Sequence, residues 1–233
     1  MVDSNKLVSV IMGIYNNEET VESAIGSIIS QSYKNIELLI IDDKSLDGSL
    51  EICRNIQKKY NNIKLYENTE NIGLTKSLNK LINYSSGFYI ARQDADDISL
   101  NKRIEQQVKC LEKFNLDFCS TRARIISSKK LLPKYSHFIP KKLLINLKNP
   151  FIHGTLLIRK EVLKMVGGYN EDFYYAQDYR LMKDLIKDNY KYKTIKHPLY
   201  EINMENNISS NKKEEQAYYA RCVKKNIKPI KTK

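Results

Sequence analysis

A doubly wound α/β protein on a mostly parallel sheet is what this 233-residue sequence predicts, and three observations carry that prediction. Short apolar, β-branched runs alternate with segments of helical periodicity through the first hundred residues. Several of those runs end in polar or acidic residues, as strands do when they open onto a ligand crevice. Composition is that of a globular chain, with 42% hydrophobic and 28% charged residues, and no apolar run approaches the ~20 residues of a bilayer span. The start, Met1 to Asn5, lacks a basic segment followed by a long apolar one, so neither secretion nor membrane insertion is expected.

The elements follow in order. Leu7 to Gly13 reads as a buried parallel strand. Asn16 and Asn17 are candidate N-caps for a helix carrying Glu18 and Glu19 in its first turn and Val21, Ala24, Ile25 and Ile28 at helical spacing. Ile36 to Ile41 is a second strand, ending in Asp42 and Asp43, and Leu50 to Tyr60 a second helix. Ile63 to Tyr66 is a third strand. Leu74, Leu78, Leu81 and Ile82 mark a third helix that stops before Gly87, and Phe88 to Ala91 is a fourth strand running into Asp94, Asp96 and Asp97. A helix over Lys102–Phe114, a strand near Phe118–Ile126, a strand over Pro150–Ile158, a break at Gly167 and Gly168 and a helix from about Gln177 complete the second half. Residues 1–205 are expected to form one domain of two halves that meet at about residue 120. Residues 206–233 form a basic tail with helical character.

Charge is divided unevenly. Residues 1–120 hold 14 Lys and Arg against 17 Asp and Glu, whereas residues 121–233 hold 25 against 10. A basic half of +15 suits an anionic membrane face or a nucleic acid, and an AT-rich coding composition accounts for it equally. No nucleic-acid-binding motif interleaves those lysines. Cys53, Cys110, Cys119 and Cys222 form no C-x-x-C pair and no zinc spacing with the three histidines, so they read as reduced thiols.

Three aspartates in four residues at a strand end repel one another unless a cation sits among them. Hard divalent ions such as Mg²⁺ or Mn²⁺, held by one or two carboxylates plus substrate phosphates, meet that need. A second acidic pair, Asp42 and Asp43, ends an earlier strand of the same sheet, which favours a nucleoside diphosphate with a bridging metal. Other phosphate cradles are missing. The first strand–helix turn, Gly13-Ile14-Tyr15-Asn16, contains no G-x-G-x-x-G, and no P-loop or G-x-S-x-G elbow occurs. A sugar nucleotidyltransferase would need a Gly-rich, basic first loop, which is also absent.

Four blocks, Val8–Ser49, Asn71–Ile82, Gly87–Gln107 and Asn149–Met182, come in one order and together resemble the family 2 glycosyltransferases of GT-A fold across residues 8–188. Among them, enzymes that build bacterial capsule, exopolysaccharide or lipopolysaccharide are most similar. The resemblance implies a Rossmann-like central sheet flanked by helices, and an inverting transfer of sugar from a nucleotide-diphosphate donor, UDP-linked, to a saccharide or lipid-linked acceptor. It implies that Tyr15 packs near the base, that Asp43 reads the base, and that Asp94 and Asp96 form a D-x-D motif orienting ribose and metal-bridged diphosphate. Asp97 joins Asp96 as a metal-ligand candidate, Asp178 falls at the catalytic base, and His153 lines the acceptor side. Arg103 and Gln106 resemble residues that hold the D-x-D helix in place, and Arg92 is placed to pair with the acidic cluster. Two departures stand out: Gln177 precedes Asp178 where the family has glutamate, and Leu100 and Asn101 stand where it has a proline. A cytoplasmic location, peripheral at the inner membrane face, suits such an enzyme.

Overall fold

The computed structural model describes residues 5–133, 139–204 and 212–230. Its centre is one nine-stranded sheet. Strands β1 (Val8–Ile14), β2 (Ile36–Asp42), β3 (Ile63–Glu67) and β4 (Tyr89–Arg92) lie parallel in the order β3-β2-β1-β4. Chain order reverses between β1 and β4, and in open α/β sheets ligands bind beyond the strand ends at such a switch point. Past β4 the directions mix. β8 (Leu157–Arg159) runs antiparallel to β4 and to β6 (Phe118–Ile125), β9 (Tyr192–Ile202) is parallel to β6, and β5 (Ile98–Ser99) closes the edge antiparallel to β9. β7 (Leu131–Leu132) adds a short hairpin to β6.

Side-chain alternation explains why both faces of the parallel strands are apolar. Val8, Val10, Met12, Ile14, Leu38 and Ile40 point to a core shared with α1 (Val21–Ile29), α2 (Ser49–Gln57) and α4 (Arg103–Phe114). Ile11, Leu39 and Ile41 point the other way, against α3 (Leu74–Tyr84). The short α5 (Lys141–Leu144) precedes Ile145, which joins that second core, as do α6 (Lys160–Met165), α7 (Gln177–Lys187) and α8 (Lys213–Lys225). In the basic tail, α8 buries Tyr219, Cys222 and Val223 in the core that α7 also fills. Residues 206–211 and 231–233 of that tail lie outside the described residues. All four cysteines are free and buried.

Three expectations are corrected. Asn16 and Asn17 do not cap α1, which begins at Val21 with Thr20 before it. Their groups are spent instead on the neighbouring loop, with Leu46 N donating to Asn16 Oδ1 and Asn17 N donating to Ser49 Oγ. Pro150–Ile158 is not one strand; a 3₁₀ turn, His153–Thr155, interrupts it and only Leu157–Arg159 pairs. Side chains satisfy that turn in place of a ladder: Gln107 Nε2 donates to Thr155 O at 2.8 Å, and Thr121 N to Thr155 Oγ1 at 3.1 Å. Finally, Gln107 rather than Gln106 is the buried glutamine of α4, while Gln106 lines a surface groove with Lys109, Lys113 and Lys193.

Candidate functional site

The end of β1 and the end of β2 bring Tyr15 and Asp43 together, because Ile14 pairs with Asp42 and Asp43 N donates to Ile14 O. Tyr15 is 44% exposed and its ring is available to a ligand. Asp43 is buried and busy. Its Oδ1 accepts from Asn68 Nδ2 at 2.8 Å and Ile72 N at 2.9 Å, and its Oδ2 accepts from Gly73 N at 2.8 Å. One carboxylate thus ties the loop before α3 to the strand ends, and only Oδ2 keeps much acceptor capacity for a base.

Beyond β4 the acidic cluster divides. Asp94 Oδ1 pairs with Nη2 of Arg92, a buried guanidinium whose Nη1 donates to Ile11 O and whose Nε has no partner. The backbone amide of Asp94 donates to the hydroxyl of Tyr200, a fully buried β9 residue. Asp97 is held inward, its Oδ1 accepting from Asn203 N at 2.8 Å. Asp96 instead opens on a polar cavity of about 320 Å³ lined by Asn16, Asn17, Glu18, Glu19, Asp47 and Asn203. Burial first, then the charge of Asp94, pushes Asp96 up to about 6, and burial with both neighbouring carboxylates raises Asp97 as well.

Among the described residues, no group of three His, Cys, Asp or Glu side chains is spaced to hold an ion by itself. The chemistry of the donor set still fits a hard divalent cation, which takes one or two carboxylates and completes its shell with substrate phosphates. Arg92 supplies positive charge to Asp94, while burial and then the neighbouring carboxylates hold Asp96 and Asp97 above the usual carboxylate range.

The other side of the region forms from loops. His153, in the 3₁₀ turn, meets the Tyr169 hydroxyl at 2.7 Å through Nε2. Burial, then Arg92, holds His153 below the ordinary histidine range, against the opposing pull of Asp178 and Asp94. Burial pushes the Tyr169 phenol well up, and the same three charges act on it. Asp178, in the first turn of α7 and 84 positions beyond Asp94 in the chain, is tied to the loop that leads into this 3₁₀ turn. Asn149 Nδ2 donates to Asp178 Oδ2 at 2.7 Å and orients the carboxylate.

Three residues of this region carry no site role in the sequence reading: Asn149, Gly154 and Tyr200. Gly154 is required by space. A Cβ there would stand 2.4 Å from Tyr200 Oη and 2.8 Å from Asp94 Oδ2. Its placement between a histidine and a threonine in an apolar stretch is the one signal that marked it. Arg103 holds the turn after β4 as expected, donating to Arg92 O, Gln93 Oε1, Ser99 Oγ and Gln107 Oε1 and lying over the Tyr200 ring. Gln106 takes no part.

Comparison with known proteins now bears on this geometry. The EpsE protein of Bacillus subtilis, named as a glycosyltransferase, is 39% identical over 72% of the chain, and the chain spans 62% of EpsE. The Escherichia coli UDP-Glc:alpha-D-GlcNAc-diphosphoundecaprenol beta-1,3-glucosyltransferase WfgD is 32% identical over 78% of the chain and 71% of its own length. Staphylococcus aureus TarS residues 1–349 in complex with UDP-GlcNAc superposes with a TM-score of 0.78 at 18% identity, covering 93% of this chain and 65% of that one. The mannosyltransferase PcManGT of Pyrobaculum calidifontis, in complex with GDP-Man and Mn²⁺, gives 0.76 at 19% identity over 98% and 66%. These two likenesses concern the fold, which is GT-A. Residues 9–185 match the glycosyl transferase family 2 model, so the chain belongs to glycosyltransferase family 2.

Proposed function

We propose that this chain transfers a sugar from a nucleoside-diphosphate donor, UDP-linked, to a hydroxyl of a saccharide or lipid-linked acceptor in surface polysaccharide synthesis, with inversion at the anomeric carbon. One observation carries the reading: the segment from Asn149 to Gly154 holds Asp178 at one end, where Asn149 Nδ2 donates to its Oδ2 at 2.7 Å, and lies against Asp94 at the other, where a Cβ on Gly154 would stand 2.8 Å from Asp94 Oδ2. A donor-side carboxylate and a candidate base thus face one region from opposite parts of the chain. WfgD, by its name, uses a UDP sugar and a diphosphoundecaprenol acceptor, which supports this substrate class.

In this reading Tyr15 and Asp43 bind the base, and Asp94 orients the ribose and diphosphate while Arg92 balances its charge. Asp96 and Asp97 would hold Mg²⁺ or Mn²⁺. When bound, that ion supplies Lewis acidity to the departing diphosphate. Asp178 takes the acceptor proton, a contribution of about 10²–10⁴-fold for a positioned base. Asn149 holds one carboxylate oxygen and leaves the other to face the acceptor. A single base with no nucleophile makes the reaction one displacement, so configuration inverts. His153, kept neutral beside Tyr169, lines the acceptor pocket without adding a charge.

Acceptor delivery is placed at the inner face of the membrane, where the basic second half would meet anionic lipid. No helix among the described residues is long and apolar enough to cross a bilayer.

Titration of the wild-type chain with UDP-sugars and UDP in the presence of Mn²⁺, read by thermal shift and by hydrolysis, tests the proposal. Binding should need the metal, and Asp96→Ala should abolish that metal-dependent binding while the protein stays folded. A wild-type chain that binds no nucleotide-sugar under these conditions would remove the donor assignment.

A further inference from the structure

Tyr174, between Tyr169 and Tyr179, touches the core only through an edge-on contact with Tyr175 and leaves half of its surface to solvent. Tyr169 meets His153, Tyr175 packs edge-on against Tyr219, and Tyr179 donates to Ile145 O from a buried position. Tyr174 is 50% exposed, and its ring lies directly on Gly73, where a Cβ would come within 2.6 Å of Cε2. Gly73 holds φ at +86°, so it is glycine for two reasons, backbone conformation and this ring.

That contact puts Tyr174 beside the donor-side residues. Gly73 N is the donor to Asp43 Oδ2, and Asp43 is hydrogen-bonded to the end of β1 that carries Tyr15. Burial raises the Tyr174 phenol, and Tyr175, Asp43 and Tyr15 each add to the shift, which agrees with that placement. Two half-exposed rings, Tyr15 and Tyr174, therefore flank one buried carboxylate from different parts of the chain.

The ring is also held. Thr75 Oγ1 of α3 donates to Phe173 O at 3.0 Å, the residue immediately before it. Asn79, one turn further along α3, donates to Tyr169 O and accepts from Tyr169 N. The loop thus runs clamped along α3, between left-handed residues at Gly168 and Ala176, and delivers Asp178 two residues after Ala176.

We infer that Tyr174 is a second aromatic wall of the nucleobase site, stacking on the base of a nucleoside diphosphate opposite Tyr15. This rests on the donor reading above. An aromatic face suits any base, so the wall contributes affinity for the nucleoside without choosing between pyrimidine and purine. It also places donor occupancy in contact with the loop that carries Asp178.

The test is calorimetric titration of the full chain, with Mn²⁺ present, using UDP, GDP and pyrophosphate on wild type, Tyr174→Ala and Tyr174→Phe. Stacking losses predict roughly tenfold weaker UDP and GDP binding for alanine, binding within about twofold for phenylalanine, and unchanged pyrophosphate binding for both. The sequence contains no tryptophan, so Tyr174→Trp introduces the sole indole. Its emission should change on adding UDP and stay constant on adding pyrophosphate. Wild-type affinity for UDP in the alanine variant, equal losses for UDP and pyrophosphate, or an indole indifferent to UDP each overturn the inference alone. A wild-type chain that binds neither UDP nor GDP overturns the donor reading and this wall together.

Discussion

Gly154→Ala adds one methyl group at the point where the 3₁₀ turn, β9 and the end of β4 meet. The new Cβ would lie 2.4 Å from Tyr200 Oη, 2.7 Å from Tyr200 Cζ and 2.8 Å from Asp94 Oδ2. Ordinary carbon contacts need about 3.5–4.0 Å, so something must move by roughly 1 Å. Tyr200 cannot yield cheaply, since it is fully buried beneath Arg103 and its hydroxyl accepts from Asp94 N. Asp94 can swing only by leaving Arg92. Overpacking of this kind costs about 1–3 kcal/mol, and at about 2–4 °C per kcal/mol for a chain of this size the melting temperature should fall by roughly 2–12 °C. Affinity for UDP with Mn²⁺ should fall too, because the displaced side chain belongs to the donor site. Gly26→Ala is the control. It lies within α1 with no atom within 4 Å of the added Cβ, and should stabilise by about 0.5–1 kcal/mol through helix propensity. Differential scanning calorimetry and nucleotide titration on both variants decide the matter. A Gly154→Ala protein with wild-type melting and wild-type affinity would show that the packing around Tyr200 is looser than these distances demand.

Arg103→Lys should destabilise by about 2–4 kcal/mol in urea titration, since an ammonium cannot serve the four acceptors that the buried guanidinium spans; a loss under about 0.5 kcal/mol would contradict this. Glu37 supports β1 from β2: burial raises its carboxyl, but donors Ser9, Lys64 and Ser86 outweigh burial and leave it below the ordinary range. A depressed folded value means stability that is present above the unfolded value of about 4.3 and lost as pH falls through the folded one. Glu37→Gln should therefore flatten the decline in melting temperature below about pH 4.3, and an unchanged acid profile would assign that decline to other groups. Asp178→Asn keeps the side chain's shape, so UDP binding should survive while transfer falls about 10²-fold or more. Near-normal transfer by that variant, or a product of retained configuration by NMR, would remove Asp178 as the base.

How much of this was legible depends on where each residue's role originates. The strands β1, β2 and β4 announce themselves because both their faces are buried, leaving continuous apolar runs with polar or acidic residues just beyond them, and Tyr15, Asp43, Asp94 and Asp96 follow from those ends. β9 did not show. Its apolar residues lose their alternation where the β6–β9 register shifts near Pro198, a residue suited to a ladder irregularity. With β9 hidden, Tyr200 and Asn203 were hidden too, and so was the fact that Asp97 turns inward. Asn149 escaped for a different reason. It acts through a hydrogen bond to a residue 29 positions away, and no local pattern encodes such a contact.

The parallel half of the sheet and the later half contribute different things to the site. β2 and β4 place carboxylates at one edge, and the three after β4 stand too close together for their charge. Arg92 answers one of the three aspartates, and its own Nε stays without a partner, so the cluster is held by geometry rather than by neutralisation. That geometry comes from the chain's return. Tyr200 accepts from Asp94 N, Asn203 donates to Asp97, and Gly154 lies close enough that no larger residue fits between them. Removing the second half would thus leave a sheet with the same acidic strand ends, no means of fixing Asp94 and Asp97, and no Asp178 to face them. The apolar pattern of the first hundred residues specifies where charge gathers. A bulged strand, one 3₁₀ turn and a clamped loop specify what that charge can do.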